Sequence, residues 1–172
     1  VVMQHPVTLE WEDAQSQMKE TLITIEKLNM PTYWFWPNVD AGADAGSKAI
    51  RSFREAGKGK NIQFIKNLPP KEFLYILLNS KCLIGNSSVG IRESSYMGVP
   101  VVNIGSRQTG RKRGKNVLDV KHNSNQIFDA VIKQISHGRY GKENIYGNGN
   151  SGESIAKLIS EIDLTIDKII TY

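Results

Sequence analysis

The 172-residue sequence predicts an α/β protein with a doubly wound parallel sheet, on three observations. Short apolar, β-favouring runs recur at residues 1–4, 32–36, 62–65, 82–84, 101–104 and 117–120. The stretches between most of them carry apolar residues every three or four positions, the period of a helix that covers a sheet. Strands so uniformly apolar are buried on both faces, which is the habit of parallel sheets in α/β proteins. Third, the polar and glycine-rich segments follow strands: residues 5–8, 37–46, 67–68, 85–88 and 105–115. With right-handed crossovers these segments gather at the carboxyl ends of the strands, where a Rossmann-like domain binds its ligand.

Each element has a local reason. Residues 1–4 form a strand that Pro6 stops. Thr8 is the expected cap of a helix over 11–28, with Trp11, Met18, Leu22 and Ile25 on its inner face. The aromatic run 32–36 is the second strand. In 39–47 an Asp-Ala-Gly-Ala loop nearly repeats as Asp-Ala-Gly-Ser, and a helix over 47–56 follows, with Ile50 and Phe53 inward. The third strand is 62–65. Pro69-Pro70 opens a short helix where proline is best tolerated, with Phe73, Leu74, Leu77 and Leu78 facing the core. Strand 82–84, a helix over 90–97, strand 101–104, a long basic loop and strand 117–120 come next. Ser124 is the expected cap of a helix to about 136, with Ile127, Val131 and Ile135 inward. Ser151 caps a last helix, where Ile155, Leu158, Ile159, Ile162, Ile166, Ile169 and Ile170 form a stripe.

Composition narrows the functional classes. Forty per cent hydrophobic and 23% charged residues describe a globular domain. A formal charge of +5 favours an anionic ligand. Cys82 is the single cysteine and lies in an apolar run, so a buried thiol in a reducing, cytoplasmic setting is expected. No His, Cys or carboxylate pair has convincing ligand spacing, so no metal or other cofactor is expected. No run is long enough to span a bilayer, and no membrane partner is expected. Val1-Val2-Met3-Gln4 looks like the end of a strand that continues from upstream, so the chain is expected to be a piece of a longer one.

The stretch from Ile84 to Glu93 concentrates the candidate chemistry. A strand ends at Gly85, Asn86-Ser87-Ser88 supply capping oxygens, and a helix starts. Such a start collects anions on free N–H groups, so Ser87 and Ser88 are candidates for phosphate oxygens. Glu93, one turn on, can accept from both hydroxyls of a ribose. Arg107, nearest the end of the fifth strand, can add a charge-assisted bond, and the backbone at Asn67-Leu68 can address a base. His5 sits where a general acid or phosphate contact is useful. Neither a Walker A sequence nor a strand-borne G-x-G-x-x-G is present, which disfavours ATP-hydrolysing and dinucleotide readings.

These segments resemble the C-terminal half of the UDP-N-acetylglucosamine 2-epimerases, particularly the hydrolysing branch of sialic acid and related nonulosonate synthesis. The matching residues are His5-Pro6-Val7-Thr8, Pro37-Asn38-Val39-Asp40-Ala41-Gly42, and Gly85-Asn86-Ser87-Ser88 with Gly90-Ile91-Arg92-Glu93. They continue as Gly98-Val99-Pro100-Val101-Val102-Asn103, Gly105-Ser106-Arg107-Gln108 with Gly110-Arg111, Asn116-Val117-Leu118, and Ile145-Tyr146-Gly147-Asn148-Gly149-Asn150, in the family's order. The resemblance implies one half of a GT-B fold, with residues 1–172 as the C-terminal nucleotide-binding domain and the N-terminal catalytic half outside this chain. It implies UDP contacts at His5, Asn38, Ser87, Ser88, Glu93 and Arg107, with His5 at the diphosphate and assisting its departure. The implied reaction removes the C2 proton of the sugar, eliminates UDP and adds water, giving N-acetylmannosamine. The implied partners are UDP, UDP-N-acetylglucosamine or a related UDP-sugar, and the missing half, with a homo-oligomer when full length. The doubled Asp-Ala-Gly leaves the register after Gly42 open, so no family role is carried to Asp44 or Lys48. Two other readings stand beside this one: the donor-binding half of a GT-B glycosyltransferase, and a basic nucleic-acid-binding module using residues 107–115.

Overall fold

A computed structural model describes residues 1–163. Six strands form one parallel sheet in the order β3-β2-β1-β4-β5-β6. They are β1 (Val2–Met3), β2 (Thr32–Phe35), β3 (Ile62–Ile65), β4 (Leu83–Gly85), β5 (Val101–Ile104) and β6 (Val117–Val120). The order reverses between β1 and β4, so the loops leaving those two strands flank the switch point of a Rossmann-like sheet.

Alternation along the strands sorts the core into two layers. Val2, Trp34, Ile84, Val102 and Ile104 point to one face and pack on Met18, Leu22 and Ile25 of α1 (Ala14–Leu28), Ile50 of α2 (Ala43–Glu55) and Ile127 and Val131 of α6 (Ser124–His137). Leu83 and Val101 point the other way, onto Leu77 of α3 (Pro70–Asn79). Two short helices, α4 (Ser88–Ile91) and α5 (Glu93–Met97), link β4 to β5. The last described helix is α7 (Ser151–Glu161). Cys82 is buried, and desolvation pushes its thiol up to about 12, so it is an unreactive core group.

Several local expectations are corrected. Residues 8–13 form a 3₁₀ segment that Thr8 does not cap, and α1 begins only at Ala14, so Trp11 stands 56% exposed. Helix α2 starts at Ala43: Gly42, at φ 89°, makes the turn, and the second Asp-Ala-Gly is helical. Leu74 and Leu78 remain 40% and 47% exposed because α3 sinks only Leu77 fully. The helix expected over 90–97 is broken at Arg92, whose φ/ψ of −97°/−75° separates α4 from α5. Asn123 caps α6 in place of Ser124, its side chain accepting from Gln126 N–H at 3.0 Å. Ser151 is the first helical residue of α7, and no side chain caps that helix. The apolar stripe of α7 is present but no described element covers it, with Ile155, Leu158 and Ile159 all exposed; Ile166, Ile169 and Ile170 lie outside the described residues.

Candidate functional site

At the switch point the loops after β1, β2, β4 and β5 are joined by hydrogen bonds. His5 follows β1 and is almost fully buried. Its N–H donates to Asn86 Oδ1 at 2.7 Å, and Asn86 Nδ2 donates back to the His5 carbonyl at 2.8 Å. The His5 ring accepts at Nδ1 from the Asn38 N–H, 3.1 Å away. That bond places the ring proton on Nε2, so His5 is a hydrogen-bond donor there. Burial, with Arg107 adding like charge, lowers its pKa from 6.5 to about 4, against the opposing pull of Asp40. At neutral pH the ring is uncharged.

Arg107 and Gln108, just beyond β5, both donate to the Asn86 carbonyl, at 3.3 and 2.8 Å. Arg107 also lies 3.7 Å from Asp40. Arg113 is engaged elsewhere: it pairs with Asp119 at 2.7 Å and donates to the Gln108 carbonyl. Part of the basic loop is thus stitched to β6 and to itself, and is not a free cationic arm.

Ser87 and Ser88 begin α4, where the Ser87 hydroxyl accepts weakly from Val89 N–H at 3.4 Å. Both side chains are partly exposed at this edge. Because of the break at Arg92, Glu93 opens a second short helix. One of its oxygens lies 3.8 Å from Arg92, while Oε2 is buried with no hydrogen-bond partner among the described residues. Glu93 lines a cleft of about 500 Å³ with Tyr96, Tyr146 and Asn148. A carboxylate oxygen desolvated in this way is poised to accept from a ligand hydroxyl. An apolar cavity of about 520 Å³ opens at the other end of the strands, beside Val1, Tyr33, Tyr75 and Cys82. Its lining suits packing rather than anion binding.

The structure therefore brings His5, the Asn38 backbone, Asn86 and Arg107 into one bonded cluster, with Ser87 beside it in the chain. Glu93 is not joined to this cluster: it sits on a separate short helix and lines a different cleft. Sequence reasoning assigned Asn86 only a capping oxygen and assigned Gln108 and Asp40 nothing. What marks Asn86 and Gln108 is the full burial of a loop amide, which is visible only in the fold.

His5 makes stability depend on pH. Its folded pKa lies below the unfolded value, so between pH 6.5 and 4 the unfolded chain takes up a proton that the folded chain refuses. Stability is complete above pH 6.5 and falls as the pH drops, by about 2 kcal/mol at pH 5 from this group. His122, also lowered by burial, acts in the same direction. Urea unfolding at pH 7.5 and 5 should show a smaller difference in His5→Asn, which keeps an acceptor for Asn38 and removes the titrating ring.

Residues 1–160 match the sequence profile of the family described as UDP-N-acetylglucosamine 2-epimerase. The chain is similar to the UDP-N,N'-diacetylbacillosamine 2-epimerase (hydrolyzing) of Legionella pneumophila, with 29% identity over 95% of this chain and 43% of that protein. It is 27% identical to the UDP-N-acetylglucosamine 2-epimerase of Neisseria meningitidis over 95% of this chain and 42% of that one. Among solved structures, the Methanocaldococcus jannaschii UDP-GlcNAc 2-epimerase, in complex with UDP-GlcNAc and UDP, superposes with a TM-score of 0.70 at 16% identity. That superposition covers 92% of this chain and 44% of the archaeal one. The chain thus spans less than half the length of these relatives. With its profile match running from the first strand into the last described helix, it belongs to the UDP-N-acetylglucosamine 2-epimerase family.

Proposed function

We propose that this domain binds the UDP part of a UDP-sugar, as the C-terminal half of a GT-B, hydrolysing 2-epimerase. The observation that carries the reading is the bonded cluster of His5, Asn86 and Arg107 at the switch point. Arg107 and the loop N–H groups at Ser87 and Ser88 take the diphosphate oxygens, and the neutral His5 ring donates to them from Nε2. Asn38 contributes through the backbone bond that orients His5. Glu93 Oε2 accepts from the ribose. The bonds that Arg107 and His5 make strengthen as charge gathers on departing UDP, so they assist bond cleavage rather than binding alone. Proton movement at the sugar belongs to the N-terminal half.

The similarity to a relative whose name specifies hydrolysis, and the Gly-Asn-Ser-Ser form of the turn, support the hydrolysing outcome and a place in sialic acid or related nonulosonate synthesis. Family membership favours an epimerase over a transferase, and the internal bonds of Arg113 disfavour a nucleic-acid module. A full-length homo-oligomer in the cytoplasm completes the proposal; no described helix is long and apolar enough to cross a membrane. The test is to join the chain to its upstream half and supply UDP-N-acetylglucosamine without an acceptor. Release of free N-acetylmannosamine and UDP supports the reading, and a requirement for an acceptor overturns it. In the isolated domain, Arg107→Ala should weaken UDP about tenfold and pyrophosphate equally, because a charge-assisted bond contributes roughly 1.5 kcal/mol or more. Titration calorimetry with both ligands checks this.

A further inference from the structure

The geometry points to Asn86 as the positioning residue that aims both His5 and Arg107 at the diphosphate. The inference rests on the UDP reading above and assigns a role to a residue that touches no phosphate in that reading. Strands β1 and β4 pair in parallel, with Ile84 N–H donating to the Val1 carbonyl and Asn86 N–H to the Met3 carbonyl. Continuing that ladder one step would direct the His5 N–H at the main-chain carbonyl of Asn86. The side chain takes that place instead: Oδ1 receives the His5 N–H and Nδ2 donates to the His5 carbonyl.

The substitution has two results. The His5 backbone is held as firmly as in a strand although the sheet has ended, and Asn38 then fixes the ring. The displaced Asn86 carbonyl is released toward the loop after β5, where Gln108 and Arg107 donate to it. One residue thereby sets the direction of a neutral donor on one side of the switch point and of a cation on the other. All four of its polar atoms are occupied, and the residue is fully buried. An amide supplies an acceptor and a donor side by side and an ionised carboxylate does not, so a carboxylate of the same shape separates positioning from packing.

In Asn86→Asp one oxygen still accepts from the His5 N–H, while the other faces the His5 carbonyl without a proton to share. Burial raises the pKa of such a carboxyl, and once protonated it regains a donor. The test is an NMR titration of the chain and the variant with UDP and with uridine, at pH 8 and pH 5.5, each variant affinity being divided by the parent's. The expected result at pH 8 is UDP weakened about tenfold or more with uridine unchanged, since the lost alignment concerns phosphate alone. At pH 5.5 the UDP deficit should shrink to about threefold or less. Asn86→Leu, which has no proton to regain, should keep its deficit at both pH values. Unchanged UDP affinity at pH 8, or parallel losses of UDP and uridine, overturns the inference and leaves the UDP reading in place. A parent chain that ignores UDP overturns the reading itself, and the inference with it.

Discussion

Glu93→Ala should weaken UDP by about 10–100-fold and leave inorganic pyrophosphate unaffected. The carboxylate has one oxygen near Arg92 and the other, Oε2, buried without a partner among the described residues. Hydrogen bonds to a charged acceptor contribute roughly 1.5–3 kcal/mol, which is the source of that range. Glu93→Gln, which retains one acceptor, should lose less. A double-mutant cycle isolates the contact: 2'-deoxy-UDP should bind the parent more weakly than UDP, and the difference should vanish in Glu93→Ala. Equal losses for UDP and pyrophosphate would place Glu93 outside the ribose contact. Calorimetry with the three ligands decides it.

Gly85→Ala should damage the fold severely, by roughly 3 kcal/mol or more. Gly85 ends β4 at φ 132°, and a Cβ there would lie 2.1 Å from the Met3 carbonyl oxygen and 2.5 Å from its carbon. Both obstacles are backbone atoms of the adjacent central strand, so neither can move without opening the β1–β4 pairing. That pairing carries the switch point, and the Asn86 bonds depend on it. Gly57 is the control: it also has a positive φ, 74°, but a Cβ there meets nothing within 4 Å. Gly57→Ala should cost only about 1 kcal/mol. Urea denaturation of both variants tests the strand register directly, and equal losses would contradict it.

The sheet and most helices were legible because periodicity reports burial. The runs at Val101–Ile104 and Leu83–Gly85 are buried along their whole length, as central parallel strands require. Where the reading failed, an apolar residue was taken as evidence of a covered face. Trp11, Leu74 and Leu78 fit a helical period but are only about half covered, since neighbouring elements, not the period, decide what is covered. The same holds for α7, whose stripe was foreseen and whose exposure was not. The site loops were placed correctly at the carboxyl edge by the strand order. Their internal wiring was not legible, because Asn86 meets His5 across 81 residues of sequence and Gln108 across 22. A capping motif seen locally says nothing of such distant partners. Nor did spacing reveal that His5 is neutral, which follows from its burial beside Arg107.

The central claim, that this edge of the sheet holds UDP, is tested most directly by following backbone amide shifts while UDP is added to millimolar concentration. The account predicts saturable changes at His5, Ser87, Ser88, Glu93 and Arg107, with the α1–α2 surface around Ile23 and Ser52 silent. Changes confined to the exposed cations Arg111, Lys112 and Lys115, reproduced by any polyanion and abolished by salt, would contradict it.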